Sequence, residues 1–287
     1  MKINNLAIEE YKRLFVFGCS YTRYLWPTWA DIIGQDVPYY ENWGKPGAGN
    51  HFIFNSIMEC DARNKFTTGD IILVMWSGSD REDRYINFDW ICDPPQTKEK
   101  TYGKAWVKKF GQDRRGNLIR DMAYIKATQE FLNSKNVNWA NFSMYSICSI
   151  DEETILRDNY TYEKDLDYFV KRYVQLNRNL CDNKEITEMY ACDVDVLNLY
   201  KEVYSNIEYS IMDVIRDGHA YKRATANFGD AHCTPLEHLQ YLDTIYPDNT
   251  LSQHARKFTA HWEQVVQSII IKDTMPEKFN HPPISRL

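Results

Sequence analysis

Nowhere in these 287 residues does an apolar run approach the roughly 20 residues that cross a bilayer as a helix, so no membrane-spanning segment and no membrane partner is expected. The opening stretch, Met1 to Arg13, is polar and lacks the apolar segment of a secretory signal. The seven cysteines, Cys19, Cys60, Cys92, Cys148, Cys181, Cys192 and Cys233, are odd in number and include no Cys-x-x-Cys pair. They read as reduced thiols in a cytoplasmic protein rather than a disulfide framework or a zinc site. Excess positive charge is missing too. There are 34 Lys and Arg against 40 Asp and Glu, and the net charge of −6 argues against a dedicated nucleic-acid binder. There is no internal repeat, no low-complexity tract, no Gly-x-x-x-x-Gly-Lys phosphate loop and no dinucleotide fingerprint.

What is present is an ordinary globular composition, 44% hydrophobic, with enough length for one large domain carrying insertions, or two domains. Aromatics are abundant at 14%, with 20 tyrosines. Tyr and Trp line ligand clefts, but they also fill cores, so the count alone does not separate the two.

The chain is organised around Leu14-Phe15-Val16-Phe17-Gly18-Cys19-Ser20-Tyr21-Thr22. Four apolar residues predict a short buried strand, and Gly18 permits a sharp turn after it. Ser20 then projects from the carboxyl edge of a sheet, where open α/β folds keep their sites. Such a serine suits a nucleophile with a base in reach, and it equally suits an ordinary strand-to-loop turn. Trp26 to Gly34 predicts a short helix with Pro27 in its first turn. Asn42-Trp43-Gly44-Lys45-Pro46-Gly47-Ala48-Gly49-Asn50 is a Gly-rich loop feeding a helix over His51 to Met58. It could offer N–H groups to an anion or an oxyanion, or be a tight turn.

After a turn at Thr68-Gly69-Asp70, Ile71 to Trp76 is the clearest strand, apolar on both faces as in parallel sheets. It ends in Ser77-Gly78-Ser79-Asp80-Arg81. The run Asp80 to Arg84 is a solvated charge cluster or the lining of a cleft. Tyr85 to Asn117 has no clean period and reads as a long excursion over the site. Leu118 to Ser134 predicts a helix, and Asn138 to Ile147 a strand. From Asp151 to Phe228 the chain is polar and mostly helical, with candidate helices over Tyr162 to Leu176 and Val194 to Tyr204. The cluster of Asp193, Asp195 and Glu202 lacks the glycine and spacing of a calcium loop.

The second anchor is Gly229-Asp230-Ala231-His232-Cys233-Thr234-Pro235-Leu236-Glu237-His238-Leu239. Thr234 to Glu237 is a capping box with proline at the first helical position, so a helix starts at Pro235 with Leu236, Leu239 and Leu242 on one side. Asp230 and His232 lie in the loop before it and His238 lies inside it. A carboxylate and an imidazole in that loop can serve as orienter and base. A metal held by Asp230, His232 and His238 is an alternative with no further ligand cluster behind it.

In this order the segments resemble the SGNH (GDSL-like) hydrolase superfamily. Gly18-Cys19-Ser20 is similar to its first block, with Cys19 where the commonest form has Asp. Asn42-x-Gly44-x-x-Gly47 is similar to the second. Gly78-Ser79-Asp80 occupies the third, with Ser79 in place of the usual oxyanion Asn. Asp230-Ala231-His232 resembles the last, one spacer residue short. The resemblance covers about residues 12–84, 118–150 and 229–246. It implies a single α/β domain over 1–287, a three-layer sandwich on a mostly parallel sheet, with insertions at about 85–117 and 151–228. It further implies Ser20 as nucleophile, His232 as base, Asp230 as its orienter, and Gly47 and Ser79 at the oxyanion. The expected reaction is acyl-ester hydrolysis through an acyl-enzyme, without metal or organic cofactor, on a small-molecule or glycan ester such as an O-acylated carbohydrate. An acyltransferase acting on a glycan, and a non-catalytic protein that kept the fold, are the alternatives. Gly18-Cys19-Ser20-x-Thr22 together with the loop Pro46-Gly47-Ala48-Gly49-Asn50 resembles a divergent branch of the superfamily, common in bacterial surface-glycan clusters and in phage genomes. A viral source would make virion association an alternative to the cytoplasm.

Overall fold

The computed structural model describes residues 2–3, 6–78, 81–92, 102–110, 114–144, 203, 207, 210–215, 232–246 and 251–272. In chain order the strands are β1 (Lys2–Ile3), β2 (Leu6–Ala7), β3 (Arg13–Phe17), β4 (Tyr39–Asn42), β5 (Asp70–Trp76), β6 (Arg84–Ile86), β7 (Asp89–Ile91) and β8 (Asn138–Ser143). The α-helices are α1 (Trp29–Gly34), α2 (Asn50–Asn64), α3 (Lys104–Phe110), α4 (Arg114–Ser134), α5 (Ile211–Val214), α6 (Pro235–Ile245) and α7 (Gln253–Lys272).

β3 and β5 are apolar on both sides because both faces of the sheet are covered. Four strands pair in parallel in the order β4-β3-β5-β8, with Phe15 opposite Ile72 and Val74 opposite Asn141. The pleat sends alternate side chains to opposite faces. Leu14, Val16, Ile71, Leu73 and Met75 join one core with residues of α1, α6 and α7. Phe15, Phe17, Ile72, Val74 and Trp76 join a second core with residues of α2 and α4. Two cores on opposite faces of one parallel sheet make an α/β sandwich, the expected fold class. Among the described residues no helix is long and apolar enough to cross a membrane.

Several boundaries differ from expectation for local reasons. α1 begins at Trp29, not Trp26; Thr28 caps it, its N–H donating to Asp31 Oδ2 at 2.9 Å, and Pro27 stands outside. α2 runs on to Asn64, and Lys65 ends it in the left-handed region at φ 51°. β4 lacks an apolar signature. It is an edge strand whose Glu41 is buried but accepts from Trp43 Nε1 at 2.7 Å and from Asn64 Nδ2 at 3.2 Å. α6 starts at Pro235 as expected, yet Leu236 is 43% exposed while Leu239 and Leu242 are buried.

The excursion at 85–117 includes residues of the antiparallel β6–β7 hairpin, all of α3, and the first turn of α4. Of the second expected insertion, 151–228, the described part is Val203, Ile207 and 210–215. Ile207 bridges Asn141 in parallel, extending the sheet beyond β8. The expected helix over Tyr162 to Leu176, the acidic cluster, and all but Val203 of the helix expected over Val194 to Tyr204 lie outside the described residues.

Candidate active site

β3 delivers the chain to Gly18 at the carboxyl edge of the sheet. Glycine is required there by close packing rather than by backbone angle. A Cβ would lie 2.0 Å from Thr22 Oγ1 and 3.0 Å from the Met75 carbonyl oxygen. Past it the chain closes on itself: Thr22 N–H and Arg23 N–H both donate to the Cys19 carbonyl at 3.0 Å. Cys19 is buried against Met144, and Ser20 sits in the turn. The expected serine is exposed; Ser20 is only 6% exposed, because the chain folds straight back after it. Thr28 Oγ1 and Asn42 Nδ2 donate to the Thr22 carbonyl at 2.6 and 2.7 Å and pin the end of the turn.

The Gly-rich loop lies alongside. Trp43 N–H donates to Val16 O at 2.8 Å and Lys45 N–H to Gly18 O at 3.1 Å, so pairing continues past the strand ends. Lys45 to Ala48 is a β-turn closed by Ala48 N–H to Lys45 O at 3.0 Å. Gly47 stands at φ +81°, the value of the third residue of a type II turn, after Pro46 in the position that favours proline. Gly47 is therefore held on the loop that borders the Ser20 turn.

The loop does not present the N-terminus of α2 to a ligand. Asp83 takes that place: Gly49 N–H donates to its Oδ1 and Phe52 N–H to its Oδ2, both at 2.9 Å. Asp83 is buried, and desolvation raises its carboxyl above the ordinary range against the pull of these N–H groups. This overturns the reading of the helix start as an open anion site, and that of the charge run as wholly solvated. Behind it, Asn50 donates to Ser77 O at 3.0 Å and to Asp121 Oδ2 at 2.9 Å, and accepts from Ser77 N–H at 2.8 Å. Full burial pushes the Asp121 carboxyl up to about 7, opposed by Arg120. Arg120 also bonds Glu82 at 2.7 Å and the Arg81 carbonyl at 2.9 Å, which ties this segment to α4.

His232 lies in the loop before α6, half-buried. The Tyr24 ring stacks on it with centroids 3.8 Å apart, and the Tyr21 ring lies at 5.2 Å. The Trp26 indole N–H donates to the carbonyl of Cys233 at 2.8 Å. Three residues of the segment after Ser20 thus hold the segment bearing His232. His238 is 1% exposed and meets Tyr21 edge-on at 6.5 Å.

Of the expected site residues, Ser20, Gly47 and His232 stand on segments that the fold joins. Asp230 and Ser79 lie outside the described residues, so the alternative metal set of Asp230, His232 and His238 is described only in part. Among the described residues, no group of three His, Cys, Asp or Glu could hold a metal ion. The sequence reading missed Tyr21, Tyr24 and Trp26. Their spacing of three and two past a strand end resembles any aromatic loop, and only the contacts of Tyr21 and Tyr24 with His232 and of Trp26 with Cys233 single them out. No family model matches the chain, and no curated protein matches it.

Proposed function

We propose that this chain is a serine ester hydrolase of the SGNH type. The observation that carries the reading is the joining of two segments 207 residues apart, Trp26 to Cys233 by a hydrogen bond and Tyr24 to His232 by a ring stack. That brings a serine turn and a loop histidine to one end of a parallel sheet, where α/β folds keep their chemistry.

In this reading His232 takes the Ser20 proton as Oγ attacks the ester carbonyl carbon. The carbonyl oxygen becomes an oxyanion, which the N–H groups of Ser20 and Gly47 and the Ser79 hydroxyl take up. His232 returns the proton to the departing alcohol. It then activates the water that releases the acyl group from Ser20. Asp230 orients the imidazole and stabilises its charged form. The reaction needs no metal or organic cofactor. An O-acylated carbohydrate fits the resemblance and the aromatic content of the chain.

The test is covalent labelling with a fluorophosphonate, located by peptide mass. Label on Ser20 is expected, and Ser20→Ala is expected to lose both label and ester turnover with its melting temperature kept. Turnover that survives Ser20→Ala overturns the assignment.

A further inference from the structure

We propose that Arg23 makes this site selective for an ester that carries a carboxylate, such as an O-acylated acidic sugar; the proposal rests on the serine-hydrolase reading above. Arg13, Arg63, Arg84, Arg120 and Arg256 each pair with a carboxylate. Arg23 differs. It is half-buried, and among the described residues no carboxylate forms an ion pair with it. Its Nη1–H donates instead to the backbone carbonyl of Asn42 at 2.9 Å. A guanidinium holds five N–H donors in one plane, so this carbonyl engages one of them and anchors the group beside the loop. Partial burial of a cation is costly unless something compensates its charge, and a bound anion does so.

The position of Arg23 is specific. Its own N–H closes the turn that contains Ser20. Its Cβ lies against Gly44, where an added Cβ would come within 2.9 Å of it. Arg23 therefore fills the seam between the serine turn and the loop that carries Gly47. Asp31, which shares Asn42 with Arg23 as a hydrogen-bond neighbour, is engaged by the Thr28 N–H, the Tyr40 hydroxyl and the Asn42 amide. At the far end of the same loop Arg81 Nη1–H donates to the Ala48 carbonyl at 2.9 Å. Two guanidinium groups thus bracket a seven-residue loop in a chain of net charge −6. A planar fork held this way matches a carboxylate, which accepts two parallel N–H bonds.

The experiment compares esters that differ in one charge: 4-nitrophenyl hydrogen glutarate against 4-nitrophenyl butyrate, and 4-acetoxybenzoate against its methyl ester. The full chain, Arg23→Gln and Arg23→Lys are assayed, each checked for an intact melting transition. Hydrogen bonds to charged groups imply at least about a tenfold preference in kcat/KM for the anionic member of one pair. That ratio is expected to collapse toward one in Arg23→Gln and to survive in part in Arg23→Lys, whatever the absolute rates. Fluorophosphonate labelling separates the two ways to fail. If Ser20 labels and both pairs turn over without preference, or the preference persists in Arg23→Gln, selection by Arg23 is overturned. If Ser20 neither labels nor turns over any ester, the hydrolase reading falls and takes this proposal with it.

Discussion

Two histidines sit close together within the second anchor, and the environment of each separates them. His238 is one turn inside α6, its N–H bonded to the Thr234 carbonyl at 2.9 Å, and it is 1% exposed. His232 is half-buried in the loop, with its ring against Tyr24. His232→Ala is therefore expected to abolish acylation of Ser20. His238→Ala is expected to leave labelling in place and to lower stability by about 0.5–3 kcal/mol. Labelling kinetics and thermal melts of both variants check this, and a folded but unlabelled His238→Ala would reverse the assignment. This much was legible in sequence, because the capping box at Thr234 fixes where the helix starts and so which histidine stays in the loop. Arg23 was not legible. One arginine after a strand looks like any surface cation until its carbonyl anchor and its contact with Gly44 are seen.

At the scale of elements, sequence legibility follows the source of each stabilising contact. β5 and α6 carry their own signals, an unbroken apolar run and a capping box with proline, and both form where expected. β4 and the start of α2 depend on partners far along the chain. Glu41 is tolerated inside because Trp43 and Asn64 donate to it, and α2 is capped by Asp83, which is 31 residues from Phe52. A carboxylate in a run of charges gives no sign that it will be buried. The structural role of Asp83 has a measurable consequence. Asp83→Ala leaves the N–H groups of Gly49 and Phe52 without their acceptor and opens space beside Gly49. Loss of a helix cap costs about 0.5–2 kcal/mol, and a buried unpaired donor about 1–3 kcal/mol. A drop of that order is expected in urea melts, with Asp83→Asn intermediate because its amide oxygen still accepts one bond. Because Gly49 follows directly on the Gly47 turn, esterase activity is expected to fall along with stability.

Across the whole molecule, one buried carboxyl joins elements from distant parts of the chain. Asp121 on α4 accepts from Asn50 on α2, which itself holds Ser77 at the end of β5, and from Arg120, which reaches the segment before β6. Its folded-state value of about 7 stands above the ordinary 3.8. The folded protein therefore binds this proton more tightly than the unfolded chain does. Its contribution to stability is fully present below about pH 4, declines as pH rises, and is lost once pH passes about 7. For one proton the slope is at most about 1.4 kcal/mol per pH unit. Asp83 is raised for the same reason and acts in the same direction. Asp89 is lowered by its bond with Lys45 and acts oppositely, but it is fully exposed and screened by solvent. Tyr102, pushed up to about 12, titrates well above this window. Denaturant-derived stabilities of the wild type and Asp121→Asn between pH 4.5 and 8 isolate the effect. The amide of the variant matches the protonated carboxyl, with one accepting oxygen for the donors of Arg120 and Asn50, and it does not titrate. The difference in slope is therefore the reading. The wild type is expected to lose stability relative to the variant from pH 4.5 to about 7, and the two curves to run parallel above it. Parallel curves throughout would mean that Asp121 stays ionised in the fold, with Arg120 and Asn50 compensating its burial completely.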